Sequence, residues 1–305
     1  MIKLIASDMD GTLLNDEHDI DIETVEAIRK AEEAGIIFAI STGREYESVK
    51  CVLDKHNIKC QCVLSNGAEY RDEDGNILEV ININDVTAKD IMYILKENNL
   101  TARIFTDKGV YTTSSEEDAL QEVTYRTLSF NPEMSMEEAR EQAKKEPFFV
   151  SLQYVKDIEE FFKQDVEVRK FVAFHKDINL IDTVKKKMGR LEGLAVSSSF
   201  RDNIEITDKN AQKGIILEKV AGKLGINKND VMILGDSFND YSMFEIFEES
   251  VAMKNAIPEV KEIAKYVTEA NSDLGVAKAI YRVLNNEMET MTVSYTHLRA
   301  HETTL

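Results

Sequence analysis

The sequence predicts an α/β fold, a parallel-sheet core interrupted by an inserted α+β domain, and three observations carry that reading. Over the first 80 residues, short apolar runs alternate with stretches of helical period, the pattern of parallel strands joined by crossover helices. From about residue 85 the strand-like segments alternate apolar and polar side chains, as antiparallel strands with one solvated face do. From about residue 193 the first texture returns. The expected division is a Rossmann-like core of residues 1–84 and 193–285, an α+β cap domain of residues 85–192, and a disordered or appended tail of residues 286–305. A chain of 305 residues is long enough for two such domains, each with its own core.

Residues 2–6 form an apolar run with the length of a buried strand, followed by a helix whose inward face carries Val25 and Ile28. Gly35 stands where a helix-ending glycine belongs, and residues 36–40 read as a strand buried on both faces. A second helix carries Val49, Val52 and Leu53, and Val63-Leu64 begins another strand. Residues 71–75 look like a turn between two strand pieces. Within the insertion, residues 102–105 and 148–154 are expected to be amphipathic strands. Ile216, Val220 and Leu224 then recur at helical spacing over residues 214–224, closed by Gly225. A strand at 231–234, a helix at 240–247, a strand at Val251-Ala252, a helix opened by Pro258 and a helix at 275–284 complete the core. Residues 290–305 lack apolar periodicity and resemble appended sequence, so His297 and His301 carry no metal reading.

A formal net charge of -19 argues against nucleic acid or an anionic membrane as partner, since most of the surface would repel either. No apolar stretch approaches the roughly 18 residues of a membrane span, and the N-terminus enters a strand without a signal-like segment. Cys51, Cys60 and Cys62 form no Cys-x-x-Cys pair and fit reduced thiols. The expectation is a cytoplasmic protein acting on a small molecule. Nothing in the sequence sets an oligomeric state.

Asp8-Met9-Asp10-Gly11-Thr12 follows the first strand and places two carboxylates at its carboxyl end, where open α/β sheets bind ligands. One carboxylate can attack phosphorus while a second protonates the leaving oxygen, roles that suit Asp8 and Asp10 respectively. Taken alone, the segment reads equally as an acidic turn. Three other segments occupy equivalent places in the core. Thr42 and the backbone amides around Gly43 follow a strand and can face an anion, or else cap a helix. Lys213 precedes a helix; it would supply a cation to phosphoryl oxygens, although a lone lysine ordinarily lies on the surface. Residues 235–240, Gly-Asp-Ser-Phe-Asn-Asp, add two carboxylates and an amide after another strand. A dianionic phosphate near so many carboxylates would be repelled by ~4 kcal/mol per charge pair at close range, so a hard cation is required, and Mg²⁺ suits the oxygen donors.

Together these segments resemble the haloacid dehalogenase superfamily of phosphatases. Asp8 to Leu14, Thr42-Gly43-Arg44, Lys213 and the 235–240 segment match its four motifs in order and spacing, and the long insertion resembles the large α+β cap of the Cof-type, sugar-phosphatase-like branch. Ser65-Asn66-Gly67-Ala68, Glu205-Ile206, Val251-Ala252-Met253 and Gly275-Val276-Ala277 are also similar to that branch. The aromatic Phe238, Tyr241 and Phe244 and the lysine at 254 depart from its usual pattern without removing a charge. The resemblance implies Mg²⁺ held by Asp8, the Asp10 carbonyl and Asp236, with Asp8 as nucleophile and Asp10 as acid and base. It also implies phosphate contacts from Thr42, Gly43, Lys213 and Asn239, with Asp240 in support. Arg44, Asn66 and Arg201 are candidates for leaving-group contacts. The expected activity is Mg²⁺-dependent hydrolysis of a small phosphomonoester, a sugar phosphate or similar, through an aspartyl-phosphate. A phosphomutase using the same two aspartates, or a silent ligand-binding protein on the same scaffold, are the alternatives.

Overall fold

The computed structural model describes residues 1–131 and 133–293. Residues 294–305 of the expected tail, His297 and His301 among them, lie outside the described residues. In chain order the elements are β1 (Leu4–Ser7), α1 (Ile22–Glu33), β2 (Ile37–Ser41), α2 (Tyr46–His56), β3 (Gln61–Leu64), β4 (Glu69–Arg71) and β5 (Ile77–Val80). The inserted segment supplies α3 (Asp85–Glu97), β6 (Ala102–Thr106), β7 (Gly109–Thr112), α4 (Glu116–Phe130), α5 (Met136–Ala143), α6 (Pro147–Ser151) and β8 (Gln153–Tyr154). It continues with α7 (Ile158–Phe162), β9 (Val168–Phe174), α8 (Ile178–Met188), β10 (Leu194–Ser197) and β11 (Asn203–Asp208). The chain returns through α9 (Lys213–Lys223), β12 (Val231–Gly235), α10 (Tyr241–Ile246), β13 (Glu249–Ala252) and α11 (Pro258–Ile263), ending with β14 (Tyr266–Val267), α12 (Gly275–Leu284) and β15 (Thr292–Val293).

Two compact units result. Among the described residues, the first comprises 1–81, 197–200 and 207–293, and the second lies within 82–196 and 201–206. Among the described residues, the first unit holds a sheet ordered β15-β14-β13-β12-β1-β2-β3-β4-β5. Its centre, β14 through β3, is parallel, and the reversal at β4, β5 and β15 gives it antiparallel margins. Within the stretch expected to be a tail, Thr292–Val293 pairs antiparallel with Tyr266–Val267. Leu4, Ile5, Ala6, Phe38, Ala39, Ile40 and Val231 to Leu234 are all buried, which is why these strands read as unbroken apolar runs. Val25, Ala27, Ile28 and Ala31 of α1 join them with Val276, Ala279 and Ile280 of α12 in one apolar cluster.

The second unit has its own core, built from Ile91 and Leu95 of α3, Phe161 of α7, Ile181 and Val184 of α8, and the inward residues Ile104, Phe171, Ile204 and Ile206 of its sheet. That sheet runs β10-β11-β9-β6-β7-β8. It is antiparallel from β11 to β7 and parallel at β7–β8. The amphipathic strand expected over residues 148–154 is instead a helix followed by a two-residue strand. Pro147 at the first helical position lacks an N–H that the helix would leave unpaired anyway, and Phe148 and Phe149 pack on Leu120, Val123 and Ala143. The apolar run therefore fills a satellite cluster beside α4 and α5, where Phe148 also meets the Arg103 guanidinium of β6.

Candidate active site

Four loops at the carboxyl ends of β1, β2 and β12 and at the start of α9 build the site, all within the first unit. The first leaves β1 at Asp8 and turns tightly over Met9–Leu13, with Leu13 N–H donating to the Asp8 carbonyl and Leu14 N–H to that of Met9. Gly11 makes this turn with φ +80°, and a β-carbon there would stand 2.7 Å from Asp236 Oδ2. Only glycine permits both the left-handed backbone and that approach. The Thr12 hydroxyl donates to Asp236 Oδ1 at 3.2 Å, so the first and fourth motifs touch directly.

Lys213 is completely buried, contrary to the surface position a lone lysine usually takes. Its Nζ donates to Asp8 Oδ1 at 2.5 Å and to Asp240 Oδ1 at 2.6 Å. The other oxygen of Asp240 accepts from the backbone N–H groups of Asp236 and Ser237. Asp240 thus braces the loop after β12 with both oxygens engaged. Carboxylate oxygens of Asp8, Asp236 and Asp240 all lie within 4.8 Å of one another. Because Asp240 is already satisfied, Asp8 and Asp236 are the members with donor capacity left for a cation.

The electrostatics agree. Burial, then the charge of Asp240, push the Asp8 carboxyl well above the ordinary range, Asp236 adds to this, and Lys213 opposes it. Asp236 is pushed up to about 7, first by burial and then by Asp240, against the pull of Lys213 and the Thr12 hydroxyl. Burial alone would lower the Lys213 pKa, but Asp240 and Asp8 outweigh it and hold the ammonium above its usual value. Three carboxylates against one ammonium leave a deficit of positive charge in a dry place, and an all-oxygen donor set suits a hard divalent cation. The residues present therefore fit a metal site.

Asp10 lies apart from this cluster. Its carboxylate receives Arg44 Nε on Oδ2 at 2.8 Å and Arg44 Nη2 on Oδ1 at 2.5 Å, and His18 Nδ1 stands 3.9 Å from Oδ1. Arg44, expected to meet a leaving group, here meets Asp10. Thr42 is buried, its N–H bound to the Val63 carbonyl and its hydroxyl accepting from Arg44 N–H. The following helix starts only at Tyr46, with Glu45 at its cap, so neither Ser41 nor Thr42 caps it, and Gly43 lies in the loop before it. Asn66 sits in a buried turn, Ser65–Gly67, in which all three residues have positive φ. That turn is tied to the second motif by Ser65 N–H on the Arg44 carbonyl and Asn66 N–H on the Thr42 carbonyl. Asn239 shares the loop after β12, its Oδ1 accepting from Ser237 Oγ. Arg201 is an exposed turn residue of the second unit.

Thr12, Asn255 and Asn271 contact these loops and are absent from the expectations above. Thr12 stood inside the first motif and could have been read as a donor to a neighbouring loop. Asn255 donates from Nδ2 to the Gly11 carbonyl at 2.7 Å, and its position just after β13, at a carboxyl end, was the available signal.

Comparison with known proteins gives a consistent picture. The family described as haloacid dehalogenase-like hydrolase matches residues 5–280. Phosphatase YwpJ of Bacillus subtilis (strain 168) is 31% identical over 285 residues, 93% of this chain and 100% of the relative. The 5-amino-6-(5-phospho-D-ribitylamino)uracil phosphatase YwtE of the same organism is 32% identical over 286 residues, 94% of this chain and 99% of the relative. A solved haloacid dehalogenase-like hydrolase from B. subtilis superposes with a TM-score of 0.81 at 31% identity, covering 92% of this chain and 100% of that one.

Proposed function

The chain belongs to the haloacid dehalogenase-like hydrolases and is a phosphoric monoester hydrolase, and from that premise we propose which residues carry the reaction and which ion and substrates it uses. Asp8 is the nucleophile. One oxygen of its carboxylate attacks phosphorus in line, the bond from phosphorus to the leaving oxygen breaks, and Asp10 delivers a proton to that oxygen. Asp10, now a carboxylate, takes a proton from water as the water attacks the phosphorus of the aspartyl-phosphate, releasing phosphate and restoring Asp8.

The observation that carries this reading is the buried Lys213 joined to Asp8 Oδ1 at 2.5 Å beside Asp236. A fully buried lysine on a strand-end carboxylate fixes that carboxylate's direction, and its ammonium stands ready for the charge spread over the phosphoryl oxygens. Thr42, the amides around Gly43 and Asn239 are assigned to the phosphate. The carboxylates of Asp8 and Asp236, with the Asp10 carbonyl, would hold Mg²⁺. When bound, Mg²⁺ offsets the carboxylate charge and draws electron density from the phosphoryl oxygens. Arg44 holds Asp10 by both oxygens and so fixes where its proton is offered.

The substrates are small phosphorylated metabolites with a polyol or sugar-like leaving group. Support comes from YwtE, whose name gives a phosphorylated ribityl compound as its substrate. Among the described residues no helix is long and apolar enough to cross a membrane. The test is phosphate release from a panel of sugar, polyol and nucleoside monophosphates, with and without Mg²⁺. Turnover of polyol or sugar phosphates that stops with chelator is the expected result. Undiminished turnover in metal-free buffer would remove the cation from the mechanism, and indifference across the panel would remove the substrate class.

A further inference from the structure

We propose that Asn255 and Asn271 are positioning residues for the reaction, a two-asparagine clamp that fixes the turn carrying Asp10 and Gly11 against Asp236. Asn255 Nδ2 donates to the Gly11 carbonyl at 2.7 Å. Asn271 N–H donates to Asn255 Oδ1 at 3.1 Å, and Asn271 Nδ2 donates to the Leu14 carbonyl at 2.9 Å. The middle and the end of the first-motif turn are thereby tied to one relay from the loops after β13 and β14.

The same loop reaches the metal-site carboxylate from its backbone side. Ile257 N–H donates to the Asp236 carbonyl at 2.9 Å, and Met253 N–H to the Gly235 carbonyl at 3.1 Å. Residues 253–257 therefore grip the Asp236 backbone with one part and the Gly11 carbonyl with another. A peptide unit is planar, so holding the Gly11 carbonyl holds the whole Gly11–Thr12 unit. That unit presents the Thr12 hydroxyl to Asp236 Oδ1 and leaves the space over Gly11 that Asp236 Oδ2 fills.

Asn255 is exposed, so water could satisfy the Gly11 carbonyl equally well. The bond thus adds little to stability and much to direction. Its removal leaves the fold intact while the turn gains freedom in the placement of Asp10 and Asp236, the loss to which an oriented site is most sensitive. The inference rests on the roles given above to Asp10 and Asp236.

The experiment uses the full chain with 4-nitrophenyl phosphate as probe, measuring kcat, KM, the Mg²⁺ concentration at half-activity, and Tm for Asn255→Ala, Asn255→Asp, Asn271→Ala and the Asn255→Ala/Asn271→Ala double variant. Asn255→Asp keeps the shape and the acceptor for Asn271 but loses the donor to Gly11. The expected result is a fall in kcat of about tenfold to a hundredfold in both Asn255 variants, with KM and Tm little changed and more Mg²⁺ needed. Asn271→Ala loses only the Nδ2 bond to Leu14 and keeps the backbone N–H that reaches Asn255 Oδ1, so its loss should be smaller than that of Asn255→Ala and the double variant should be the poorest. Wild-type kcat in both Asn255 variants, or losses that merely track the unfolded fraction, would overturn the clamp. So would an Asn271→Ala loss larger than that of Asn255→Ala. Asp8→Asn, run alongside, separates the two readings: an active Asp8→Asn protein overturns the site assignment itself, whereas an inactive one beside active Asn255 variants overturns only the clamp.

Discussion

Arg44 and Asp10 meet side-on through two hydrogen bonds, Nε to Oδ2 at 2.8 Å and Nη2 to Oδ1 at 2.5 Å, although they stand 34 residues apart in sequence. Burial would pull the guanidinium below its ordinary value, but the Asp10 carboxylate, helped by Asp8 and Glu45, holds it above. The guanidinium therefore stays charged, and its two bonds fix the direction of the Asp10 carboxyl group. A lysine cannot reproduce the fork. Arg44→Lys and Arg44→Ala are both expected to lower kcat, by about tenfold or more, since general acid and base catalysis contributes ~10²–10⁴ and depends on where the carboxyl points. Phosphate-release kinetics check this, and a fully active Arg44→Lys enzyme would show that one point charge suffices.

Lys213 separates two buried carboxylates, so its removal is a stability experiment as well as a catalytic one. Lys213→Met keeps the approximate length and loses the charge, leaving Asp8 and Asp240 unpaired in a dry site. Breaking a buried pair from one side costs about 3–5 kcal/mol, and denaturant unfolding in the presence of chelator should find a loss of that order. Added Mg²⁺ should return part of the stability but not the activity.

The raised carboxyl of Asp236 fixes the sign of the metal-free pH dependence. Its folded-state pKa of about 7 exceeds the ordinary 3.8, so ionisation is harder in the folded protein than in the unfolded chain. The protonated group's advantage is fully present below about 4 and is lost as pH rises to about 7, a swing of up to about 4 kcal/mol. Asp8 shifts in the same direction. Metal-free protein should therefore gain stability from these groups as pH falls from about 7.5 toward 5, and Mg²⁺ should raise Tm more at pH 7.5 than at pH 5. Thermal melts across that range, with Mg²⁺ or with chelator, read both. An equal Mg²⁺ effect at the two pH values would contradict the cause assigned here.

How much of this was legible follows from what each feature depends on. β1, β2 and β12 are buried on both faces and therefore write themselves as apolar runs, so the parallel core was readable, and with it the strand ends on which Asp8, Thr42 and Asp236 sit. Residues 148–154 read as an amphipathic strand, yet Phe148 and Phe149 pack on α4 and α5 and lie in a helix. An apolar run fixes neither how deeply its side chains are buried nor what they pack against: Phe148 and Phe149 are half-buried here and Val150 is exposed. Lys213 is harder still: a buried lysine has no local mark, and only its match to an ordered set of motifs pointed to it. The pairing of Arg44 with Asp10 and the relay through Asn255 and Asn271 are contacts between distant loops, which periodicity and propensity do not encode. They became visible only when the sheet brought its strand ends together.

Gly67 and Gly35 provide a matched test of how far strain in the Ser65–Gly67 turn reaches. Both have positive φ, +100° and +80°, so alanine is unfavourable at each. Beyond Gly35 there is nothing within 4 Å of an added β-carbon, whereas at Gly67 it would stand 2.8 Å from the backbone carbon and oxygen of Gln212, the residue before Lys213. Gly35→Ala should cost only the backbone penalty, about 1–2 kcal/mol, and leave kcat unchanged. Gly67→Ala must also displace Gln212 or the turn itself, and the turn carries the Arg44 and Thr42 carbonyl contacts through Ser65 and Asn66. It should therefore lose more stability than Gly35→Ala and lower kcat as well, because Lys213 and Thr42 move with what they are attached to. Paired urea unfolding and phosphate-release assays decide the matter. If Gly67→Ala matched Gly35→Ala in both measurements, the turn would be a scaffold detail and not part of the positioning of Lys213.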